Sequence, residues 1–205
     1  MEEKKKTRIQ IRNETRLLEA AKTVFAGAGY HGATLEKIAA LADMSQPNLH
    51  HYFATKRDLY VAVLDRTLVI WLDPLDGLSS DEDPAIALRK YIAVKMELSR
   101  TNPEASRIFA SEMLLGAPML EAKLAARIAK SVDHGVATIR RWVDDGRLKP
   151  TNPHHLLFLI WAATQHYADF EPQIKQAFQK PRLTKSDFAD ATESVSEIIL
   201  RGILR

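Results

Sequence analysis

Apolar residues recur every three or four positions along most of this chain, as they do in amphipathic helices. A clear example near the N-terminus consists of Leu17, Leu18, Ala21, Val24, Phe25 and Ala28. Proline, glycine and Asn-Pro pairs separate such segments. No segment alternates apolar and polar residues as a half-buried strand does. The pattern predicts an all-α fold with about nine helices.

Three breaks in the pattern give the clearest predicted boundaries. Gly27 and Gly29 are expected to end the first helix. Pro74 is expected to end the fourth helix near Asp73, because proline cannot donate a hydrogen bond within a helix. A long helix in the second half of the chain is expected to end at Gly146.

Residues 34–56 have the pattern of two short helices joined by a tight turn. Thr34 is placed to cap the first of them, and the turn begins at Asp43. Ser45 stands at the N-cap position of the second helix, with Pro47 in its first turn. The stretch therefore predicts a helix-turn-helix.

The second of these helices is rich in hydrogen-bonding side chains that have no evident role in a core: Gln46, Asn48, His50, His51 and Tyr52. No carboxylate occurs between Asp43 and Asp58. A helix face of amide, imidazole and phenol groups without negative charge suits the major groove of DNA. The pattern alone also allows an ordinary surface helical hairpin.

This stretch resembles the DNA-binding signature of the TetR family of one-component regulators. The matching residues are Phe25, Gly29, Thr34, Ile38, Ala39, Ser45, Leu49, Tyr52, Phe53, Lys56, Arg57, Asp58 and Leu59. The family usually has glycine where this chain has Asp43, and aspartate tolerates a left-handed backbone better than most residues. The expected DNA-binding residues are Ser45 as the cap, Gln46, Pro47, Asn48, His50 and His51 towards bases, and Thr34, Tyr52 and Lys56 towards phosphates.

Charge is distributed unevenly along the chain. The net charge of the 205 residues is +3, and residues 1–70 hold 11 Lys and Arg against 8 Asp and Glu. All the excess positive charge therefore lies with the helix-turn-helix, which is the sign that phosphate contact requires. The first ten residues are polar and without periodicity, so they are predicted to be disordered. Their cations, Lys4, Lys5, Lys6 and Arg8, could contact DNA or form a solvated tail.

Composition excludes several functional classes. The chain contains no cysteine, so disulfides, a cysteine nucleophile and thiolate metal sites are impossible. His50-His51 and His154-His155 are adjacent pairs, whose side chains point in different directions on a helix, so no metal site is expected. No nucleophile motif surrounds any serine, and an enzyme, with a hydrolase as the remote alternative, is not expected. Without a long apolar run or a signal sequence, the expected location is the cytoplasm.

Two domains are predicted, residues 1–54 for DNA binding and residues 55–205 for ligand binding and dimerisation. Residues 156–163 are apolar all round, which indicates a helix buried on every side. A homodimer that pairs the last two helices of each subunit would bury this surface, although an intramolecular core remains open. The expected interface residues are Phe158, Ala162, Val195, Ile199 and Ile203.

Polar residues on otherwise apolar helix faces mark a candidate ligand site in the second domain. Trp161, Gln165 and Asp169 form one stripe, and Lys95 and Ser99 end another. An indole beside an amide offers a flat apolar wall with a donor and an acceptor at its edge, which suits a small planar imide. Satisfied polar groups in a core are the alternative interpretation.

Residues 71–75, 103–118 and 160–173 are similar to the C-terminal domain of the pyrimidine-utilisation regulators within the TetR family. The resemblance implies a repressor, without cofactor, that a uracil- or thymine-like effector releases from a palindromic operator. It carries the ligand role to Trp71, Trp161 and Gln165, and position adds Lys95, Ser99, Tyr167 and Asp169. A TetR-like repressor that answers an unrelated hydrophobic or drug-like ligand is the alternative.

Overall fold

The computed structural model describes residues 7–205, and this part of the chain is built from helices. Their bounds are α1 (Arg8–Gly32), α2 (Leu35–Leu41), α3 (Gln46–His50), α4 (Lys56–Asp76), α5 (Pro84–Thr101), α6 (Pro103–Leu114), α7 (Ala122–Asp144), α8 (Pro153–Asp169), α9 (Glu171–Ala177) and α10 (Lys185–Ile203). One isolated antiparallel bridge joins Leu148 and Leu204. The all-α prediction is confirmed, and the short α9 makes ten helices instead of nine in the described part of the chain.

The first helix begins earlier than the sequence predicted. The Thr7 hydroxyl accepts a hydrogen bond from the Gln10 amide, and the Gln10 side chain accepts one from the Thr7 amide, which forms a capping box. Arg8 is therefore helical, and the prediction of disorder is wrong for residues 8–10. The predicted DNA contacts of Lys4, Lys5 and Lys6 lie outside the described residues.

The fourth helix continues past Pro74, contrary to the prediction that it ends near Asp73. Proline removes one backbone donor and crowds the carbonyl four residues before it, so the helix loses one hydrogen bond at Pro74. The Gly77 amide still donates to the Asp73 carbonyl at 3.0 Å, and Leu75 is completely buried. Burial of Leu75 thus stabilises the extra residues beyond the proline.

The chain forms two compact units. The first comprises the described residues up to Thr67 together with Arg107–Glu121, and the second comprises Leu68–Ser106 and Ala122–Arg205. In the first unit α2 packs on α1 and α3 on α2. Its fully buried side chains include Leu17, Ala21, Ile38, Leu49, Leu59 and Leu64.

The second unit is centred on α5, which packs against both α8 and α10. Its core contains Leu88, Ile92, Ile139, Trp142, Leu157 and Ile160. Even the polar atom of the largest side chain there is satisfied, since the Trp142 indole donates to the Ser80 carbonyl at 3.0 Å. This packing positions the side chains of α5 and α8 that form the candidate site described below.

The apolar run of α8 predicts a helix that is buried on every side. Within one chain, however, one face of α8 is exposed. Ile160 is fully buried, but Phe158 and Leu159 are 49% and 53% exposed. The apolar stripe of α10 behaves in the opposite way, because Ile199 and Ile203 belong to the core of the same unit. Each helix covers α5 with one face, which leaves the other face of α8 and the exposed Ile198 of α10 for another subunit.

Close packing at Gly135 of α7 gives a test of this core. A methyl group there would lie 2.5 Å from Cδ1 of the fully buried Leu75. We expect Gly135→Ala to lower the free energy of unfolding by about 1–3 kcal/mol through overpacking. The matched control is Gly202→Ala on α10, where nothing lies within 4 Å. Helix propensity should make that change neutral or stabilising by up to about 1 kcal/mol in chemical denaturation.

Candidate DNA-binding and effector-binding sites

The helix-turn-helix forms at the predicted residues. Asp43 adopts the left-handed conformation with φ of 52°, which aspartate tolerates better than most residues. The Met44 amide donates to the Ala39 carbonyl at 2.9 Å, which closes the turn, and Arg16 of α1 forms an ion pair with Asp43 at 3.2 Å. The aspartate therefore both tolerates the turn and ties it to the first helix.

Two hydroxyl groups fix where the helices of this motif begin. Thr34 accepts a hydrogen bond from the Lys37 amide and Ser45 accepts one from the Asn48 amide, both at 3.3 Å. Capping of this kind is usually worth about 1 kcal/mol for each helix. Ser45 is thus a cap, as predicted, and Leu49 anchors the short α3 in the core.

The predicted base-reading residues lie on an accessible polar surface of α3 and the residue after it. Pro47, His50 and His51 are exposed, and Gln46 and Asn48 are half-buried. The Gln46 amide donates to Glu36 at 3.3 Å, and the His50 ring pairs with the Ala54 carbonyl at 3.2 Å. These contacts orient the side chains and leave hydrogen-bonding capacity for a groove.

Two of the residues expected on phosphates are engaged inside the first unit. Tyr52 accepts a hydrogen bond from the Asn13 amide at 3.1 Å. The Lys56 ammonium donates to the Ala33 carbonyl at 3.0 Å and lies 4.7 Å from the centre of the Tyr30 ring. Both side chains therefore hold α1 against the elements that follow it, and a phosphate would have to compete with these contacts.

A buried cation stands at the centre of the candidate effector site. Lys95 of α5 is only 3% exposed, and its ammonium lies 3.9 Å from the centre of the Trp71 ring. Burial lowers the pKa of Lys95 to about 7, and attraction to Asp169 opposes the change only in part. A lysine whose pKa is lowered by burial beside a carboxylate is a candidate for a functional site.

Some of the polar groups around Lys95 have hydrogen-bond partners and one of them does not. Asp169 of α8 accepts a hydrogen bond from the buried Ser106 hydroxyl at 2.6 Å, and Ser99 donates to the carbonyl of Lys95 in its own helix. The Trp71 indole N–H is buried and has no acceptor among the described residues. A buried donor without an acceptor costs about 1–3 kcal/mol, which a ligand carbonyl would recover.

The rest of the predicted stripe on α8 lies towards the face of α5 that carries Lys95. The Trp161 indole donates to the hydroxyl of Tyr91 at 2.7 Å, one helical turn before Lys95. Asp169 lies two turns after Trp161 and close enough to Lys95 to raise its pKa. The half-buried Gln165 stands between these two contacts, so the structure brings the predicted stripes together.

Tyr167 does not belong to this cluster, contrary to its place among the predicted ligand residues. Its ring lies 5.9 Å from that of Phe188 in α10. Two residues beyond Gln165, it points to roughly the opposite side of α8, since each residue turns a helix by about 100°. Ser106 is the residue that sequence reasoning missed, because a lone serine at the start of α6 carries no periodic signal.

Comparisons with known proteins add independent information. Residues 17–63 match the family described as bacterial regulatory proteins, tetR family, and residues 64–205 match the YcdC-like protein, C-terminal region. The HTH-type transcriptional regulator RutR of Escherichia coli strain K12 is 43% identical over 199 residues, which cover 97% of this chain and 94% of that protein. The chain belongs to the TetR family of transcriptional regulators.

Two further proteins are similar to this chain over most of its length. The HTH-type transcriptional repressor NicS of Pseudomonas putida is 25% identical, with 95% of this chain and 93% of that protein covered. The crystal structure of AibR with isovaleryl coenzyme A and operator DNA superposes with a TM-score of 0.70 at 19% identity, covering 91% and 97% of the two chains. At that identity the second likeness establishes the fold alone.

Membership of the TetR family decides the class of activity. TetR-family regulators bind operator DNA and small-molecule effectors and form dimers, and the named relatives are transcriptional regulators. The chain is therefore a DNA-binding transcriptional regulator and not an enzyme. Within residues 7–205 no helix is long and apolar enough to cross a membrane, and no cluster of three metal-ligating side chains occurs.

Proposed function

We propose that this regulator is a repressor that binds a palindromic operator as a homodimer in the cytoplasm and is released by a uracil-like pyrimidine. The observation that carries the effector assignment is the buried Trp71 indole N–H, which lacks an acceptor among the described residues, together with the Lys95 ammonium over the same ring. A ligand that supplies a carbonyl oxygen to these donors would stabilise both.

A pyrimidine base has the shape and polarity that this cluster requires. Its flat ring can stack on an indole, and its two carbonyl groups can accept from Trp71, Lys95 or the amide of Gln165. Its imide N–H can donate to the Asp169 carboxylate or the Gln165 oxygen. A purely hydrophobic or drug-like ligand would leave the buried donors unsatisfied, which favours the pyrimidine over that alternative.

A panel of ligands tests the choice of effector. Uracil and thymine at millimolar concentration should raise the melting temperature of the protein, because a ligand that binds only the folded state stabilises it. Amphipathic drugs of similar size should have a smaller effect. Stabilisation by the drugs and none by the bases would favour the alternative effector class.

The fourth helix provides a route from effector to operator. It begins at Lys56, directly after the helix-turn-helix, and continues without a break through Trp71 to Asp76. A ligand on Trp71 therefore contacts the same helix that follows the DNA-reading motif. Such a ligand shifts the equilibrium only by binding one arrangement more tightly, and a coupling of about 1–3 kcal/mol is usual.

The double variant Gln46→Ala, Asn48→Ala tests whether α3 reads bases. We expect the free energy of operator binding to become less favourable by about 1–3 kcal/mol for each base-reading side chain that is removed. The preference for particular bases at those operator positions should also weaken. Binding to random DNA should be unchanged. Unaltered operator preference in a competition binding assay would show that α3 does not read the sequence.

The variant Phe158→Glu tests the dimer face. Phe158, Leu159 and Ala162 on α8 and Ile198 on α10 are exposed within one chain, so we assign the interface to them and not to the buried Ile199 and Ile203. Placing a charge at Phe158 should produce monomers in sedimentation, whereas Ile86→Glu on the exposed side of α5 should remain dimeric. A monomeric wild type at micromolar concentration would contradict the assignment.

A further inference from the structure

The first unit contains a cavity that the effector site does not explain. It has a volume of about 310 Å³ and is enclosed by the end of α1, by α4 and by α6 with the segment after it. Every residue that lines it belongs to the first unit, which also carries the helix-turn-helix. A ligand in this cavity would therefore contact the DNA-binding unit directly.

A buried carboxylate faces the cavity. Glu112 is only 2% exposed, and it accepts hydrogen bonds from the Tyr60 hydroxyl at 3.1 Å and from the Met119 amide. Both of these donors are neutral, whereas a carboxylate offers about four acceptor positions. Burial and the charge of Glu112 raise the pKa of Tyr60, so this hydroxyl keeps its proton and remains a donor.

Aromatic rings form one wall of the same cavity. The Tyr60 ring lies edge-on to Phe25 at 4.9 Å and to Tyr30 at 5.0 Å, and all three residues line the space. An aromatic ring can hold a cation over its face, as the Tyr30 ring does for the Lys56 ammonium at 4.7 Å. Arg107 and His31 also line the cavity, and the Arg107 guanidinium disfavours a second cation, so the features that favour one are the carboxylate and the rings.

We propose that this cavity is a second ligand site, which takes a small organic cation with an ammonium or guanidinium group. The cationic head donates to the remaining acceptor positions of Glu112, and the apolar body lies against Phe25, Tyr30 and Tyr60. The site is independent of Trp71 and Lys95, so the proposed pyrimidine effector is not a premise of it. A cation bound here contacts α1 and α4 and acts on the unit that reads DNA.

Calorimetric titration with defined probes tests this site. Phenethylamine and agmatine should each bind the wild-type protein saturably, and 2-phenylethanol, the neutral counterpart of phenethylamine, should bind at least tenfold more weakly. Glu112→Gln should weaken phenethylamine at least tenfold. The matched control is Glu121→Gln, which removes an exposed carboxylate that pairs with Arg57 at 3.0 Å and should bind the amine as the wild type does.

Two further variants separate a ligand site from a purely structural role of Glu112. Ser111→Phe adds bulk at an exposed position of the cavity lining, leaves the carboxylate intact and should abolish amine binding. Gln165→Leu changes only the proposed pyrimidine site and should leave amine binding unchanged. The proposal is overturned if neither cation binds at millimolar concentration, if Ser111→Phe binds like the wild type, or if Gln165→Leu loses the amine.

Discussion

The Lys95→Met variant is expected to unfold at a higher temperature than the wild type at neutral and acidic pH. The ammonium of Lys95 is buried on α5, and attraction to Asp169 compensates only part of the cost of burying it. Methionine keeps the length and apolar body of the side chain without the charge. The lowered pKa of Lys95 means that the folded state holds this charge at a cost in free energy, which methionine does not incur.

The gain from Lys95→Met should depend on pH in a defined direction. The pKa of Lys95 is lowered from 10.5 to about 7 in the folded state. Between these values the unfolded chain binds more protons, so the stability of the wild type rises with pH across this window. The advantage of the variant should therefore be complete below pH 7, shrink as the pH rises and disappear above about pH 10.5.

Chemical denaturation of both proteins at several pH values measures this difference. Lys90→Met is the matched control, because Lys90 is an exposed lysine on the same helix, and its removal should change stability by less than about 0.5 kcal/mol. A Lys95→Met protein that is less stable than the wild type at pH 6 would mean that the charge stabilises the fold. The variant should also bind uracil more weakly, since it lacks one of the proposed donors.

Replacing Gln165 with leucine is expected to lower the affinity for uracil at least a hundredfold. Leucine has nearly the same size but neither donates nor accepts, so a bound base would bury polar atoms without partners. Sites built on hydrogen bonds discriminate strongly for this reason, and each unpaired buried group costs about 1–3 kcal/mol. Calorimetry measures the loss directly.

Operator binding of Gln165→Leu should match the wild type, because Gln165 lies outside α3. Dimerisation should also persist, because leucine has nearly the size of glutamine and adds no charge to α8. Gln173→Leu on the exposed surface of α9 is the matched control and should retain full affinity for uracil. If the Gln165→Leu protein still responds to uracil, the amide of Gln165 takes no part in binding the base. Trp71 and Lys95 would then be the remaining candidates.

Features that depend on neighbouring residues could be predicted from the sequence. Thr34 and Ser45 cap the helices that follow them, and both hydrogen bonds span three residues. The stripes that contain Lys95 and Asp169 follow from helical periodicity, since positions four apart share a face. These local rules were enough to locate α3 and most of the residues of the proposed effector site.

Features that depend on tertiary packing were not predictable in the same way. An apolar stripe does not reveal whether it covers its own core or a partner, and Ile199 was assigned to the dimer face although it packs inside the chain. Lys56 has the charge of a phosphate ligand, yet two carbonyls and a ring of its own unit engage it. Ser106 joins Asp169 across 63 positions, a distance that no periodic pattern covers.

The measurement that tests the central claim most directly is a calorimetric titration of uracil into the wild-type protein, free and bound to its operator. We expect saturable binding to the free protein and an affinity about 5 to 150 times weaker in the DNA complex, because coupling between two ligands is reciprocal. No heat with uracil or thymine at millimolar concentration, or equal affinity in both states, would contradict the claim that a pyrimidine releases this regulator from DNA.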